Sequence, residues 1–351
     1  MRKIYFPGLD GIRAIACIMV FFGHFNGAFG IRTLLPEHLI GSNGVTCFFT
    51  LSGFLITSLL LQEKRATGKI NRANFYLRRI LRIWPLYFLI IAIGWLTFPY
   101  VQGTDERPAY FLYYLFFAGN YAFAAMRGIW IINPLWSVAV EEQFYSFWPA
   151  VVDSPKVLRS CGVILATFLV IKFVARDSSE GFYYFIRYTR IDCMAIGGII
   201  ACLKFRDSAL LRPLLHPLVQ WTCWGLFAYA IFRPLHLFSF VDDEVFSAIT
   251  AILILNVATN PRTVLTLENP VLKYLGRISY GIYAYNLPVL YLWLVCIPGE
   301  KTRMLPQWTY TLPFLLLGIN VLVAHLSYHL FEKRFLKVRV RFGHLSSPMV
   351  T

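Results

Sequence analysis

Arg13 and His24 stand inside the first long apolar stretch of the chain, residues 12–29, where the only other strongly polar side chain is Asn26. Ionisable groups at membrane depth are costly to keep, and their presence points first to function. The eleven-residue spacing carries an α-helix through about 1100°, within about 20° of three full turns, so both side chains share one face, roughly 16 Å apart along the axis. One helix face therefore carries a guanidinium near a membrane surface and an imidazole near mid-depth. The cation suits guidance of an anionic substrate, and the imidazole suits general-base catalysis.

A second polar group lies in the fourth apolar stretch, where Trp136, Ser137, Glu141, Glu142, Gln143 and Tyr145 stand together. Glu141 and Glu142 differ by about 100° in direction and so face different neighbours. Counting along the spans brings His24 and Glu142 to comparable depth. A His24–Glu142 pair would place a carboxylate to orient the imidazole; its plain structural reading is a buried contact that fixes helix packing. Arg79 and Arg82, at i and i+3 just before Trp84-Pro85, share a face if helical, and two guanidiniums can clamp phosphate oxygens. The same residues would serve equally as topology anchors. Asp10 precedes the first stretch, Ser52 lies in the second, Asp192 follows Arg187 and Arg190, and Tyr280 opens the ninth. His325 and His329 fall near the inner end of the tenth, where headgroup contact accounts for them.

The elements that position these residues must cross a membrane. The 351 residues are 58% hydrophobic and 17% aromatic, with only 15% charged, against about 25% charged in soluble domains. Mean hydropathy is +0.59. Apolar runs near 12–29, 43–62, 84–101, 134–152, 160–174, 187–203, 217–233, 244–259, 275–297 and 309–331 predict an all-α, polytopic bundle of about ten transmembrane helices. An even count places both termini on one side. Lys64, Arg65, Lys69, Arg72, Arg78, Arg79 and Arg82 mark one loop as cytoplasmic, as Lys333, Arg334, Lys337, Arg339 and Arg341 mark the tail. That topology requires 109–125 not to span. Its aromatics and Gly119-Asn120 break fit an interfacial or re-entrant element.

The net charge of +15 sits between apolar runs, which fits orientation and anionic lipid contact rather than nucleic acid. The seven cysteines form no CxxC and no zinc spacing, so neither a disulfide framework nor a metal is expected. The first apolar stretch carries charge within it and many spans follow, which predicts an uncleaved helix rather than a signal peptide.

At these residues the chain resembles the membrane-bound acyltransferase-3 family, which transfers acyl groups to sugars and other hydroxyl acceptors. The resemblance runs through Leu9-Asp10-Gly11-Ile12-Arg13-Ala14-Ile15-Ala16, the Arg13-to-His24 spacing, 48–56, Arg79 and Arg82 with Pro85 and Tyr87, and the run from Trp136 to Tyr145. It continues through Arg190-Ile191-Asp192 and Gly276-Arg277-Ile278-Ser279-Tyr280-Gly281-Ile282-Tyr283, and closes on Tyr328 and Glu332. It implies ten spans with cytoplasmic termini and an acyl-CoA donor, usually acetyl-CoA, arriving from the cytoplasm. It also implies that Arg79 and Arg82 hold the donor's phosphates, that Arg13 and His24 serve catalysis or donor positioning, and that Glu142 supports the site.

Two departures from the family pattern matter. Asn286 stands where many relatives have histidine, and the chain ends at Thr351, which leaves no room for the extracytoplasmic esterase-like domain that some relatives carry. The expectation is a single acyltransferase-like transmembrane domain, 1–351, in a bacterial inner membrane. It would act as an O-acetyltransferase on a carbohydrate, lipopolysaccharide or lipo-oligosaccharide acceptor, alone or with a separate extracytoplasmic transferase. His24, Arg13, Glu142 and Glu141 are the catalytic candidates and Arg79 and Arg82 the donor site. Asp10, Ser52, Trp136, Tyr145, Asp192 and Tyr280 are the supporting residues. A transporter or flippase for an acyl group or a lipid-linked sugar is the alternative, although no inverted repeat is apparent.

Overall fold

All ten apolar runs fall on helices in the computed structural model, which describes residues 5–29, 37–102, 108–233, 235, 240–297 and 306–340. In chain order these are α1 Leu9–Phe29, α2 Glu37–Thr67, α3 Arg72–Gln102, α4 Phe111–Leu115, α5 Gly119–Ala124, α6 Leu135–Asp153, α7 Val157–Ala175 and α8 Glu180–Tyr188. Then follow α9 Ile191–Phe205, α10 Pro217–Phe232, α11 Asp242–Thr259, α12 Pro270–Arg277, α13 Ser279–Cys296, α14 Pro306–Ser327 and α15 Lys333–Val340. No strand occurs among the described residues. Among the described residues, five helices are long and apolar enough to cross a membrane, and a sixth if α12 and α13, bent by 67°, count as one span. The remaining runs are shorter, as in the 15 residues of α9 and the 16 of α10, or are diluted by polar side chains, as in α6 and α11. Residues 109–125 yield only α4 and α5, five and six residues long. At 1.5 Å per residue these fall far short of a hydrocarbon core of about 30 Å.

The packing is tightest where α2 crosses α9. A methyl on Gly53 would stand 1.9 Å from the Met194 carbonyl oxygen, and one on Gly197 would stand 2.0 Å from that of Thr50. Both positions need hydrogen in place of a side chain for the backbones to approach. The contact holds α2 in the register that presents Ser52, the neighbour of Gly53. Around it, Phe49, Tyr87, Phe144 and Trp148 are buried in the largest apolar cluster, and the Trp148 indole N–H donates to Thr57 Oγ1 at 2.8 Å.

Two tethers fix the end of the bundle where α1 begins. Asp153 of α6 receives Lys64 at 3.3 Å and Arg72 at 3.1 Å, joining α2, α3 and α6. Glu268, in the loop before α12, accepts from the Tyr5 hydroxyl at 2.7 Å, from the Gly8 backbone N–H and from Lys273 at 2.9 Å. Burial alone would raise the Glu268 carboxyl. The Gly8, Tyr5 and Lys273 bonds outweigh it and hold the group below the usual carboxylate range. The clamp sets where α1 starts and therefore where Arg13 lies. At the other end of the chain, α14 closes in a π-helical turn, Tyr328–Glu332, a distortion found often at functional sites. Its Glu332 accepts from Ser327 at 3.1 Å.

The α2–α9 crossing gives a direct test. Gly53→Leu should cost about 1–3 kcal/mol or more of overpacking and lower the melting temperature in detergent by several degrees. Size-exclusion recovery after a heat challenge measures this, and unchanged recovery would mean that the helices do not approach so closely.

Candidate functional site

Helices α1, α2, α3, α6 and α13 line a partly open cavity of about 760 Å³, a volume that includes space continuous with solvent. Along α2 its lining runs from Ile56 to Val45, eleven residues or about 16 Å. The lining changes character over that length. Toward the end of the bundle that carries the Lys64–Arg72 loop all of its charged side chains gather, Arg13, Arg79, Arg82 and Glu141, with Ser52, Tyr145 and Tyr280 and among the apolar Leu51, Leu55, Ile56 and Ile83. Toward the opposite end it presents Val45, Phe48, Phe49, Val138 and Tyr283, with Ser137 the other polar side chain. One half can hold an anionic head and the other an apolar or weakly polar arm.

Each charged member is anchored. Arg13 is buried and pairs with Asp10 at 2.7 Å, at i and i+3 on α1. Arg79 sets its guanidinium over the rings of Tyr145, 5.6 Å from the centroid, and Phe75, at 5.8 Å. Its Nε is buried without a hydrogen-bond partner. Ser52 Oγ donates to Glu141 Oε1 at 2.6 Å, which links α2 to α6 across the cavity. The Tyr280 hydroxyl donates to the Ile83 carbonyl at 2.9 Å, tying α13 to α3 beside Arg82. Tyr283 and Ser137 are joined at 2.6 Å. A second cavity of about 340 Å³ shares Ile56 and Arg79 with the first and adds Glu63, Phe75 and Arg78. Arg78 is held by Glu63 at 3.1 Å. Arg78 had been grouped with the cytoplasmic anchors in the sequence; the contact that places it beside Arg79 comes from α2, at a distance no local spacing shows.

Seven of the sequence-predicted residues thus meet around one cavity: Arg13, Ser52, Arg79, Arg82, Glu141, Tyr145 and Tyr280. Asp10 stands behind Arg13. Glu142 is turned toward α3, where Trp84 Nε1 donates to its Oε2 at 2.9 Å, and its Oε1 is unpartnered. No hydrogen bond joins it to His24 among the described residues. His24 lies fifteen residues into α1, about 22 Å, whereas Glu142 lies eleven residues from the same end of α6, about 16 Å. The outward offset and the turn toward Trp84 separate them. His24 sits beyond the cavity lining, and its Nδ1 is enclosed without a partner. Gly23 rests against Gly41 of α2, one helical turn, about 6 Å, past Val45. Trp136 is also outside the lining. It stacks on Phe123 at 5.1 Å and meets Phe49 edge-on at 6.2 Å, so it backs a lining residue.

Asp192 belongs to a different cluster. It follows Arg187 and Arg190 in the chain, but it pairs with Lys172 at 2.5 Å, and Lys172 also meets Glu244 at 2.6 Å. Arg190 turns to Asp243 at 3.3 Å and to Thr46 Oγ1 at 2.7 Å. These bonds draw α2, α7, α9 and α11 together. Lys172 sits in the last turn of an apolar helix, where sequence alone reads it as an interfacial cation.

The acyltransferase-3 model, described as "Acyltransferase domain", matches residues 6–327. The chain belongs to the acyltransferase-3 family. Among similar relatives are the O-acetyltransferases OatA of Staphylococcus aureus strains NCTC 8325 / PS 47 and COL. Each is 27% identical over 364 residues, which cover 93% of this chain and 57% of theirs. A relative from S. aureus strain MRSA252 carries a provisional O-acetyltransferase name and is 27% identical over 372 residues, covering 96% of this chain and 58% of its own. This acyltransferase-3 chain therefore spans less than 60% of the length of the curated relatives it matches. No solved structure matches it.

The Lys172 cluster makes a stability prediction separate from the cavity. Lys172→Met leaves Asp192 and Glu244 buried without their cation, which should cost about 3–5 kcal/mol. Thermal unfolding in detergent should show the loss. A melting temperature equal to wild type would mean that the two carboxylates do not depend on Lys172.

Proposed function

We propose that the chain is a membrane O-acetyltransferase that moves an acetyl group from cytoplasmic acetyl-CoA to a hydroxyl of a carbohydrate or glycolipid acceptor. It would act in a ten-span fold with both termini cytoplasmic, in a bacterial inner membrane. The observation that carries this reading is the cavity's polarity gradient, charged at the end near the basic loop and apolar beyond it. Coenzyme A has that shape, with anionic phosphates at one end and a long, weakly polar arm that ends in the thioester. Arg79 and Arg82 would bind the phosphates, with Arg78 on the neighbouring cavity beside them. Guanidiniums suit that task because their planar donors match phosphate oxygens. The unpartnered Arg79 Nε leaves a donor for it. Arg13, fixed by Asp10, adds positive charge where the arm leaves the phosphates.

The apolar half formed by Val45, Phe48, Phe49 and Val138 would exclude water and aim the arm toward His24. His24 stands about one turn past the lining, at the depth where the thioester would emerge. Its imidazole would take the proton of the acceptor hydroxyl as that oxygen attacks the acyl carbon, and return it to the departing thiolate. Glu141, held by Ser52, balances the arginines. Glu142, held by Trp84, keeps α3 and its arginines against α6. The relatives' O-acetyltransferase names agree with this chemistry. A surface polysaccharide, a lipopolysaccharide or a lipo-oligosaccharide would meet it as acceptor, directly or through a separate extracytoplasmic transferase.

Two measurements bear on the two ends of the cavity. Membranes carrying His24→Ala should transfer labelled acetyl groups from acetyl-CoA at least about a hundredfold more slowly than wild type, the usual scale for a lost general base; equal rates would remove His24 from the reaction. Replacing Arg79 and Arg82 together by alanine should weaken coenzyme A binding at least about tenfold, an effect of about 1.4 kcal/mol, by equilibrium dialysis. Unchanged affinity would return both residues to topology.

A further inference from the structure

Asn286 is fully buried in α13, yet neither its Nδ2 nor its Oδ1 has a hydrogen-bond partner. No other side chain among the described residues leaves two buried polar atoms unpartnered. Burying an amide without partners forfeits the hydration of both groups with nothing in return. Structural asparagines elsewhere in this bundle do not behave so. Asn256 Nδ2 donates to the carbonyls of Leu214 and Ile252, each at 2.9 Å, and its Oδ1 accepts from Asn260 at 2.8 Å; Asn320 leaves its Oδ1 unpartnered but still donates through Nδ2 to the Ile282 carbonyl at 2.9 Å.

Its place on α13 says what it faces. Ser279, Tyr283 and Asn286 fall at i, i+4 and i+7, one stripe of the helix. Ser279 and Tyr283 line the cavity. Asn286 continues their stripe about 4.5 Å further from the basic end. On α1 the same thing happens: Arg13 lines the cavity, and His24 continues its face outward with Nδ1 enclosed and unpartnered. The two helices pack directly there, with Phe21 and Phe25 against Leu287 and Leu290. Past the apolar end of the cavity, then, each of the two helix faces supplies an unpartnered polar group.

We propose that the Asn286 side-chain N–H donates to the carbonyl oxygen of the acyl group under transfer and holds it beside His24. This rests on the acetyl-transfer reading above. As the acceptor oxygen bonds to the acyl carbon, its proton passes to His24 and the carbonyl oxygen gains negative charge. A fixed donor in a site shielded from water stabilises that charge more than it does the neutral thioester. The carbon–sulfur bond then breaks and the proton passes from His24 to the leaving sulfur. A neutral amide suits the position because it can donate strongly without the desolvation cost of a charge.

The test uses Asn286→Leu in the full-length protein in detergent or native membranes. The expected result is a melting temperature no lower than wild type, unchanged affinity for acetyl-CoA and a kcat reduced about 10²–10³-fold. Asn286→His, which restores an N–H donor, should recover part of that loss. If Asn286→Leu does not reach the membrane, Asn286→Ala reads the same kcat effect. A lowered melting temperature with kcat intact makes Asn286 a packing residue and overturns the proposal. Wild-type protein that transfers no acetyl from acetyl-CoA overturns the functional reading and this proposal together, whereas wild-type turnover that Asn286→Leu leaves unchanged overturns this proposal alone.

Discussion

Three arginines around one cavity in an apolar helix bundle set the terms for the rest of the structure. A cation held away from water needs an opposite charge, hydrogen bonds or an aromatic face. Asp10 supplies the first for Arg13, and Phe75 and Tyr145 supply the last for Arg79. Each partner comes from an element whose position is itself constrained. The Glu268 clamp on Tyr5 and Gly8 sets the start of α1, the Gly53–Met194 approach sets α2, and the Trp84–Glu142 bond sets α3 on α6. The polar cavity is thus held by contacts that lie outside it.

The bundle contains a second buried charge cluster, and the contrast with the first separates architecture from a candidate reaction site. Lys172, Asp192 and Glu244 meet at 2.5 and 2.6 Å, and Arg190 is bonded to Asp243, Ser42 and Thr46. Those charges face one another across α2, α7, α9 and α11, and neither of the described cavities reaches them. Such clusters fix helix order and register. Atoms without hydrogen-bond partners occur in both places, but at Arg190, Asp192 and Glu244 they belong to side chains held in ion pairs, whereas Arg79 Nε borders the cavity and Glu142, His24 and Asn286 leave atoms unpartnered outside any such pair. Charge that faces charge reads as a staple, and polar atoms left over beside a cavity read as contacts kept for a ligand.

The helices were legible because a run of apolar residues at spanning length has few other physical solutions; the runs at 187–203 and 275–297 each fall across two helices, and five or six helices among the described residues are long and apolar enough to span. Much of the cavity was legible too, because an ionisable residue in such a run stands out against its neighbours. Arg13 and Glu141 are of that kind, whereas Arg79 and Arg82 stand out by their i, i+3 spacing just before the third run. Pairing was not legible. Lys172 looks like an interfacial cation from its own helix and becomes a buried counter-ion only when α9 and α11 arrive. The shared depth counted for Glu142 and His24 missed by about four residues, roughly 6 Å, and the direction of Glu142 depends on how α6 turns against Trp84. Trp136 stands in the same run as the two carboxylates, yet α5 places Phe123 flat against it, outside the cavity lining. The hardest signal was Asn286, unremarkable as a residue type and notable only when its lack of partners is seen.

The spacing between Arg13 and His24 acquires its meaning from the space between them. Eleven residues of α1 span about 16 Å, the same length that the cavity lining covers along α2 from Ile56 to Val45. Because α1 and α2 run antiparallel with Gly23 against Gly41, the charged half of the lining lies level with Arg13, and its apolar half leads toward His24. A shorter interval would crowd the imidazole into the arginine field, where a second cation is disfavoured and proton acceptance suppressed. A longer one would set it past the reach of any ligand anchored on Arg79 and Arg82. On the proposed reading, the separation would keep the imidazole that takes the proton electrically apart from the arginines that bind the donor's phosphates, while one face of α1 carries both Arg13 and His24.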